Sequence, residues 1–178
     1  MAANYIKTII FIFLTFNMSL MEVFSFEGTI LKSVDDKVLL DKTLFLYEDK
    51  TNFLTIHDIQ KKSFDKKFKL SKKEAPSFGV TNSSIWVKMI IRNKTKEDNW
   101  VLKNDVVWHD YFDFFSMDEG SLKVIKTGDR RPFKTRDLKY RGFAFNIKPK
   151  DRSIYYFKIR SKDDLSLGTE VLSLKKFM

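Results

Sequence analysis

Arg130, Arg131 and Arg136 stand close together in "KTGDRRPFKTR", Lys126 to Arg136, where five basic residues surround Gly128, Asp129 and Pro132. A guanidinium is a planar fork of five donors, suited to a carboxylate or phosphate and equally to pinning backbone carbonyls. Both uses are open to this stretch. From Lys126 to Arg141 seven basic residues face two acidic ones, Asp129 and Asp137. Gly128 permits the positive φ of a tight turn, Asp129 can bond its own backbone, and Pro132 forces Arg131 to be extended. The segment therefore reads as a crossing loop, held to a sheet by its arginines or offering them to a ligand. Arg92, Arg136 and Arg141 are the basic candidates for contact with a small polar solute. Trp86 and Tyr156 are the aromatic ones, because a flat ring stacks on the apolar face of a pyranose while neighbouring polar groups bond its hydroxyls. Trp100, Trp108 and Tyr111 belong to the same class, with Trp100 or Trp108 expected in the core.

Catalytic chemistry has little to stand on. His57 and His109 belong to no metal-ligand spacing, and neither a nucleophile elbow nor a phosphate-binding glycine loop occurs. Asp110 and Asp113, three apart in an expected strand, point to opposite faces and cannot share a proton or a metal. Cysteine is absent, which removes disulfides, thiolate sites and a lipid-bearing cysteine. The expectation is a binding protein with no catalytic residue, no metal and no cofactor.

The elements that must position these residues are strands. "SIWVKMIIRN", Ser84 to Asn93, alternates strictly, with Ile85, Val87, Met89 and Ile91 on one face and Trp86, Lys88, Ile90 and Arg92 on the other. Similar runs are "KVLL" with "TLFLY" (Lys37 to Tyr47), "NWVLK" (Asn99 to Lys103), "YFDFFSM" (Tyr111 to Met117), "SLKVIK" (Ser121 to Lys126), "GFAFNI" (Gly142 to Ile147), "SIYYFKIRS" (Ser153 to Ser161) and "EVLSL" (Glu170 to Leu174). Turn signals at Asp118 to Gly120, Thr127 to Asp129 and Lys148 to Asp151 separate them at the spacing of an antiparallel sandwich or barrel. One short helix is predicted over Thr55 to Phe64, capped by Thr55 with Asp58 in its first turn. Its apolar face, Ile56, Ile59 and Gln60, is narrow, so it is expected to lie as a lid across a sandwich edge. "KKSFDKKFKLSKKEAPS", Lys61 to Ser77, reads as a polar connector. No repeat or flexible linker divides the 178 residues, so one domain is expected.

Ahead of that domain, Lys7 precedes the apolar run "TIIFIFLTFNMSLM", Thr8 to Met21, which Glu22 ends. A bilayer span needs roughly 20 apolar residues, so this run is short for crossing and suits the apolar region of a signal peptide, the alternative being an uncleaved anchor. Val23 and Ser25 can serve at −3 and −1, which gives a signal peptide over 1–25 and a mature domain over 26–178. Its loss removes one Lys and one Glu and leaves the formal charge at +10. The lysine pairs are scattered and form no nucleic-acid-binding motif, so the charge reads as solubility and attraction to anionic surfaces, without nucleic acid as a partner. No later segment approaches bilayer length, so the mature chain is expected to have no transmembrane span.

The order of motifs resembles a known family. "YEDKTNFLTIHDIQKKSF", "SFGVTNSSIWVKMIIRN", "KTGDRRPFKTRD", "RGFAFNI" and "YYFKIRS" together are similar to the type 2 extracellular domain of bacterial seven-transmembrane receptors with diverse intracellular signalling modules. The resemblance runs from about Leu46 to Met178. Its acidic dipeptide matches Glu48-Asp49, its turn Phe78-Gly79, its strand tryptophan Trp86, its strand end Arg92-Asn93, and its Gly-Asp loop with a downstream arginine Gly128, Asp129 and Arg136. The resemblance implies an all-β, antiparallel, jelly-roll-like sandwich similar to carbohydrate-binding modules, in the periplasm or outside the cell, sensing a ligand. The sequence ends at Phe177-Met178 without seven apolar segments, so the expectation is a domain resembling the sensor part of such a receptor, with a truncated receptor, a gene remnant and a stand-alone binding protein all open. A protein-interaction module docking on an envelope or receptor partner is the other expected class. Envelope-fraction protein should begin near Phe26 by mass spectrometry; an intact Met1 on cytosolic protein would overturn export.

Overall fold

The computed structural model describes residues 28–35, 37–118 and 120–178; the expected signal segment and its cleavage site lie outside them. In chain order the described strands are β1 (Thr29–Leu31), β2 (Lys37–Leu39), β3 (Phe45–Asp49), β4 (Lys69–Leu70), β5 (Ser77–Val80), β6 (Ser84–Asn93), β7 (Trp100–Asn104), β8 (Tyr111–Asp118), β9 (Ser121–Thr127), β10 (Phe143–Ile147), β11 (Ser153–Arg160), β12 (Asp164–Ser166) and β13 (Thr169–Ser173). Two short helices accompany them, α1 (Ile56–Ile59) and α2 (Leu174–Phe177). The larger sheet runs β4-β3-β6-β11-β8-β9, antiparallel throughout, with β1 added parallel to the end of β6. The smaller runs β10-β7-β13-β2, and β5 pairs with β12 in a separate ribbon. The protein is an all-β sandwich.

Period-two alternation decides which residues fill the space between the sheets. Ile85, Val87, Met89 and Ile91 of β6 meet Trp100, Leu102, Phe143 and Phe145 of the smaller sheet in one buried cluster. Phe112 stacks on Phe143 at 4.6 Å and Phe114 on Phe145 at 4.5 Å, so aromatic pairs bridge the sheets. Offset ring pairs of this kind add roughly 0.5–1.5 kcal/mol each beyond the area they bury.

The outer face of the larger sheet is covered too. Trp86, Phe115 and Tyr156, from the neighbouring strands β6, β8 and β11, pack beneath Ile56, Ile59, Phe64 and Phe68. Two lysines of the sheet pin this cover. Lys88 Nζ donates to Asp65 at 2.6 Å, and Lys158 Nζ donates to the carbonyls of Asn52 and Leu54 at 3.2 and 2.8 Å. The predicted helix is thus corrected in length and place: it stops after one turn at Ile59, and a 3₁₀ segment, Lys62–Lys67, continues it across the face of the sheet rather than an edge. Sequence reading missed Phe64 and Phe68 as the anchors because lysines surround them. At its start the Asp58 carboxylate accepts the Thr55 amide at 3.1 Å and the Thr55 hydroxyl at 2.7 Å. Its hydrogen bond with Lys61 and those with Thr55 hold that carboxyl well below its usual range.

Other differences are local. The run from Lys37 to Tyr47 is broken by a 3₁₀ turn, Asp41–Thr43, so that β2 joins the smaller sheet and β3 the larger. The turn is fixed by Asp41 accepting the Thr169 amide at 3.0 Å. β1, β4, β5 and β12 had no alternation to reveal them, being two to four residues long.

His109 lies in the sandwich interior, 0% exposed, between Phe112 and Phe143. Neither ring nitrogen has a hydrogen-bond partner. Burial pushes its pKa down to about 4, against a weaker upward pull from the Asp164 and Asp110 charges. The unfolded chain therefore takes the proton first, at about 6.5, and stability that is complete above that pH drains away as pH falls toward 4. Asp41, raised to about 6 by burial, works in the opposite direction over the same window. Comparison with His109→Phe isolates the histidine: by urea denaturation the wild type should lose roughly 2–3 kcal/mol relative to the variant between pH 7.5 and 4.5. Parallel pH profiles would overturn the assignment.

Candidate functional site

Beyond the helical cover, the same outer face turns polar. At this end of the larger sheet β3 and β11 finish and β6 and β8 begin, with Asp49 opposite Ser84 and Arg160 opposite Tyr111. The loops there are fixed by buried acceptors. Asp49, 1% exposed, accepts the amides of Thr51, Asn52 and Leu54, each at 3.1 Å, and the Thr51 hydroxyl at 2.6 Å. That holds Asn52 at φ 62, a left-handed position asparagine tolerates. Asn52 in turn accepts from the Ser84 hydroxyl at 2.6 Å and donates to the Asn82 carbonyl at 2.9 Å. Glu48 accepts the Ser83 hydroxyl at 2.8 Å.

The Gly128 loop closes the other side. Gly128 has φ 141, and a Cβ there would lie 2.2 Å from the Asp110 carbonyl oxygen, so only glycine allows the approach. The amides of Asp129 and Arg130 then donate to the carbonyls of His109 and Asp110 at 2.8 and 3.2 Å. The exposed Asp129 carboxylate makes no bond to its own backbone, so its amide, not its side chain, fixes the turn. Pro132 opens a 3₁₀ turn, Phe133–Thr135. Arg130 Nε donates to Asp110 at 2.7 Å, and Arg131 to Asp113 and the Thr127 carbonyl. Burial alone would raise the Asp110 carboxyl, but Arg130 and the Lys162 amide bring it below its ordinary value. Asp110 precedes β8 rather than lying in it, so the two carboxylates serve separate arginines.

Two adjoining cavities result, of ≈ 340 and ≈ 300 Å³. Tyr111 and Arg160 line both. Asn82, Asp110, Arg130, Ser161 and Lys162 complete the first; Asn52, Ser84, Asp113, Arg131 and Lys158 complete the second. The Tyr111 ring carries the Arg131 guanidinium at 5.1 Å and that of Arg160 at 4.7 Å. Of the five basic side chains, Arg130 and Arg131 are matched by carboxylates and Lys158 by carbonyls. Arg160 and Lys162 have no carboxylate partner among the described residues. The arrangement can take an anion with hydroxyls beside it.

The residues singled out from sequence fall elsewhere, with Tyr111 the exception. Trp86, expected on a partly polar face, is 0% exposed because the helical cover lies on it; it stacks with Phe115 at 5.5 Å. Tyr156 is buried beside it, and burial pushes its pKa up to about 12. Arg92 donates to the Asp151 carbonyl at 3.2 Å, tying β6 to the turn before β11. Trp100 is buried with its indole donating to the Glu97 carbonyl at 2.9 Å, while Trp108 is half-exposed and bonds the Asp164 carbonyl at 3.0 Å. Arg136 donates to the carbonyls of Arg141 and Gly142 and lies 4.3 Å over the Phe143 ring, and Arg141 is exposed. Sequence reasoning passed over Arg160 and Lys158 as site residues, while Arg130 and Arg131 belong to the loop whose arginines it left open to a sheet or a ligand. The alternation that put Tyr156 on the outer face also puts Lys158 and Arg160 there, and that signal was available.

Fold and site together define a β-sandwich whose larger sheet ends in a basic, loop-built cleft. The family model for 7TMR-DISM extracellular 2 matches residues 41–173, and the chain belongs to this family of receptor extracellular domains. No curated protein matches it. No helix among the described residues is long and apolar enough to cross a membrane.

Arg136 serves the fold by these contacts, and Arg136→Ala should cost roughly 1–3 kcal/mol in thermal or urea melts, since it strands a part-buried carbonyl and uncovers Phe143. A variant that melts like the wild type would show the clamp to be idle.

Proposed function

We propose that this is the ligand-sensing module of a receptor system, exported to the periplasm or cell surface, non-catalytic, and specific for a small polar solute bearing a carboxylate among hydroxyls, of which an acidic sugar is the type. One observation carries the reading: Arg160, its guanidinium carbon 4.7 Å from the centre of the Tyr111 ring and lining both polar cavities, has no carboxylate partner among the described residues. A guanidinium beside a ring face is partly placed before a ligand arrives, and its fork matches a carboxylate in two parallel bonds. Asn52, Asn82, Ser84 and Ser161 offer the amide and hydroxyl groups that sugar hydroxyls need. The Tyr111 face is shared with two guanidinium groups, so this ring orients arginine rather than stacking on a pyranose.

Membership of a family of receptor extracellular domains supports the sensing role. Calorimetric titration with glucuronate and with glucose separates charge from ring recognition. Binding of glucuronate over glucose is expected, with Arg160→Ala weakening it about tenfold or more at unchanged melting temperature. Equal affinity of Arg160→Ala for glucuronate, or no uronate binding by the wild type, would overturn the proposal.

A further inference from the structure

A further cavity, larger and of different character, lies at the edge of the same sheet. β4 pairs with Phe45 and Leu46 of β3, and among the described residues the rest of β3 has no strand on that side. Between it and β5 opens a groove of ≈ 470 Å³ lined by Leu46, Tyr47, Leu70 and Phe78, with Lys50, Lys67, Lys69 and Glu48 on its rim. The four apolar side chains are each only half-buried. Leu46 and Phe78 rest on the sandwich core and Tyr47 on the core beneath the helical cover, so the floor is rigid.

The rim charge is unbalanced. Lys50, Lys67 and Lys69 form no ion pair among the described residues, because Asp65 is taken by Lys88, Asp58 by Lys61 and Glu74 by Lys42. Glu48 is turned to the Ser83 hydroxyl at 2.8 Å. Lys67 also lies 4.7 Å from the centre of the Phe64 ring, which places its ammonium group. Lysines along an open edge oppose pairing with the same lysine-bearing edge of a second copy. They attract an anion for the same electrostatic reason, and a guarded edge by itself requires no apolar cavity.

From this apolar floor with three unpaired ammonium groups above it, we infer a second binding site whose occupant is a small anionic amphiphile, an acyl chain or comparable apolar body ending in a carboxylate. The site shares no lining residue with the Tyr111 cleft and does not rest on the sensing role proposed for it. The apolar body covers Leu46, Leu70 and Phe78, and the carboxylate stands among the lysines, where each cation contributes roughly a fivefold gain in affinity.

Decanoate, acetate and neutral 1-octanol, titrated separately and followed by amide chemical shifts, test the inference. Decanoate should bind with shifts at Leu46, Leu70 and Phe78, and at least about tenfold more tightly than either fragment. The exposed double change Lys67→Glu with Lys69→Glu should weaken decanoate at least about twentyfold with an unaltered melting temperature, whereas Lys126→Glu with Lys134→Glu, the same charge change elsewhere, should leave it intact. Equal loss in both double variants would reduce the effect to net charge and overturn the site. So would binding to phosphatidylglycerol vesicles without decanoate binding, which would make the lysines a bilayer contact, or a dimer in sedimentation that the Lys67→Glu and Lys69→Glu change alters. Glucuronate affinity, measured alongside, is expected to be unchanged in the variant, so failure here and failure in the cleft are read separately.

Discussion

The constraint on which the molecule depends is that β6 is covered on both faces. From Ser84 to Ile91 every side chain of this strand is buried. One set, Ile85 to Ile91, requires a second sheet opposite it. The other, Trp86 with its neighbours, requires the helical cover. Neither layer would be stable alone: a 4-residue helix is far too short to form without a surface to pack on, and a 4-stranded sheet needs its apolar face shielded. The lysines that accompany Trp86 on the outer face follow from the same arrangement. Lys88 and Lys158 bring their ammonium groups to the cover, where a carboxylate or carbonyls receive them and the rings of Phe68 and Trp86 lie 5.9 and 5.2 Å away.

That cover also decides where a cleft can be. It occupies the middle of the face, over Trp86, Phe115 and Tyr156, and leaves the strand ends uncovered, where Ser84, Tyr111, Asp113 and Arg160 belong to the same face. Lys158 stands on the boundary, its ammonium group 5.2 Å from the Trp86 ring and lining the cleft as well. Burial pulls its pKa below the usual lysine value, partly countered by Asp49 and Asp113. The cleft's walls are loops, yet they are not loose. Asp49, Asp110 and Asp113 each accept donors from the loop that approaches them, so the carboxylates are consumed in holding walls and the excess of positive charge is left facing the space between.

The sandwich was legible in the sequence because alternation is a direct consequence of a pleated strand with unlike faces. β6, β8, β10 and β11 each announced themselves by it. What was not legible was the second buried face, since Trp86 beside Lys88 and Arg92 reads as amphipathic when the partner layer is a lysine-rich segment whose two phenylalanines are each flanked by charged residues. The "KTGDRRPFKTR" loop was expected to be a turn that needs glycine, with Arg136 left open between a clamp and a ligand contact; Gly128 has φ 141 and Arg136 bonds the carbonyls of Arg141 and Gly142. The roles of its first two arginines depended on Asp110 and Asp113, which only the pairing of β8 with β9 brings near. A site assembled from the ends of β3, β6, β8, β9 and β11 has no local motif, and its members become neighbours only through register.

The cleft and the edge groove meet along one wall. β3 lines the groove with Leu46, Tyr47 and Glu48, ends at Asp49, and turns into the loop whose Asn52 lines the cleft. Glu48 crosses from one to the other through its bond to Ser83, which stands between Asn82 of the first cavity and Ser84 of the second. An occupant of either space thus touches a segment fixed by the same four bonds to Asp49. Those bonds and the left-handed Asn52 define a single loop arrangement, so the wall acts as a rigid partition. Influence of one site on the other would then run through the stiffness of this loop and the summed field of the surrounding cations, which salt screens over about 8 Å at physiological ionic strength, and not through displacement of the strand.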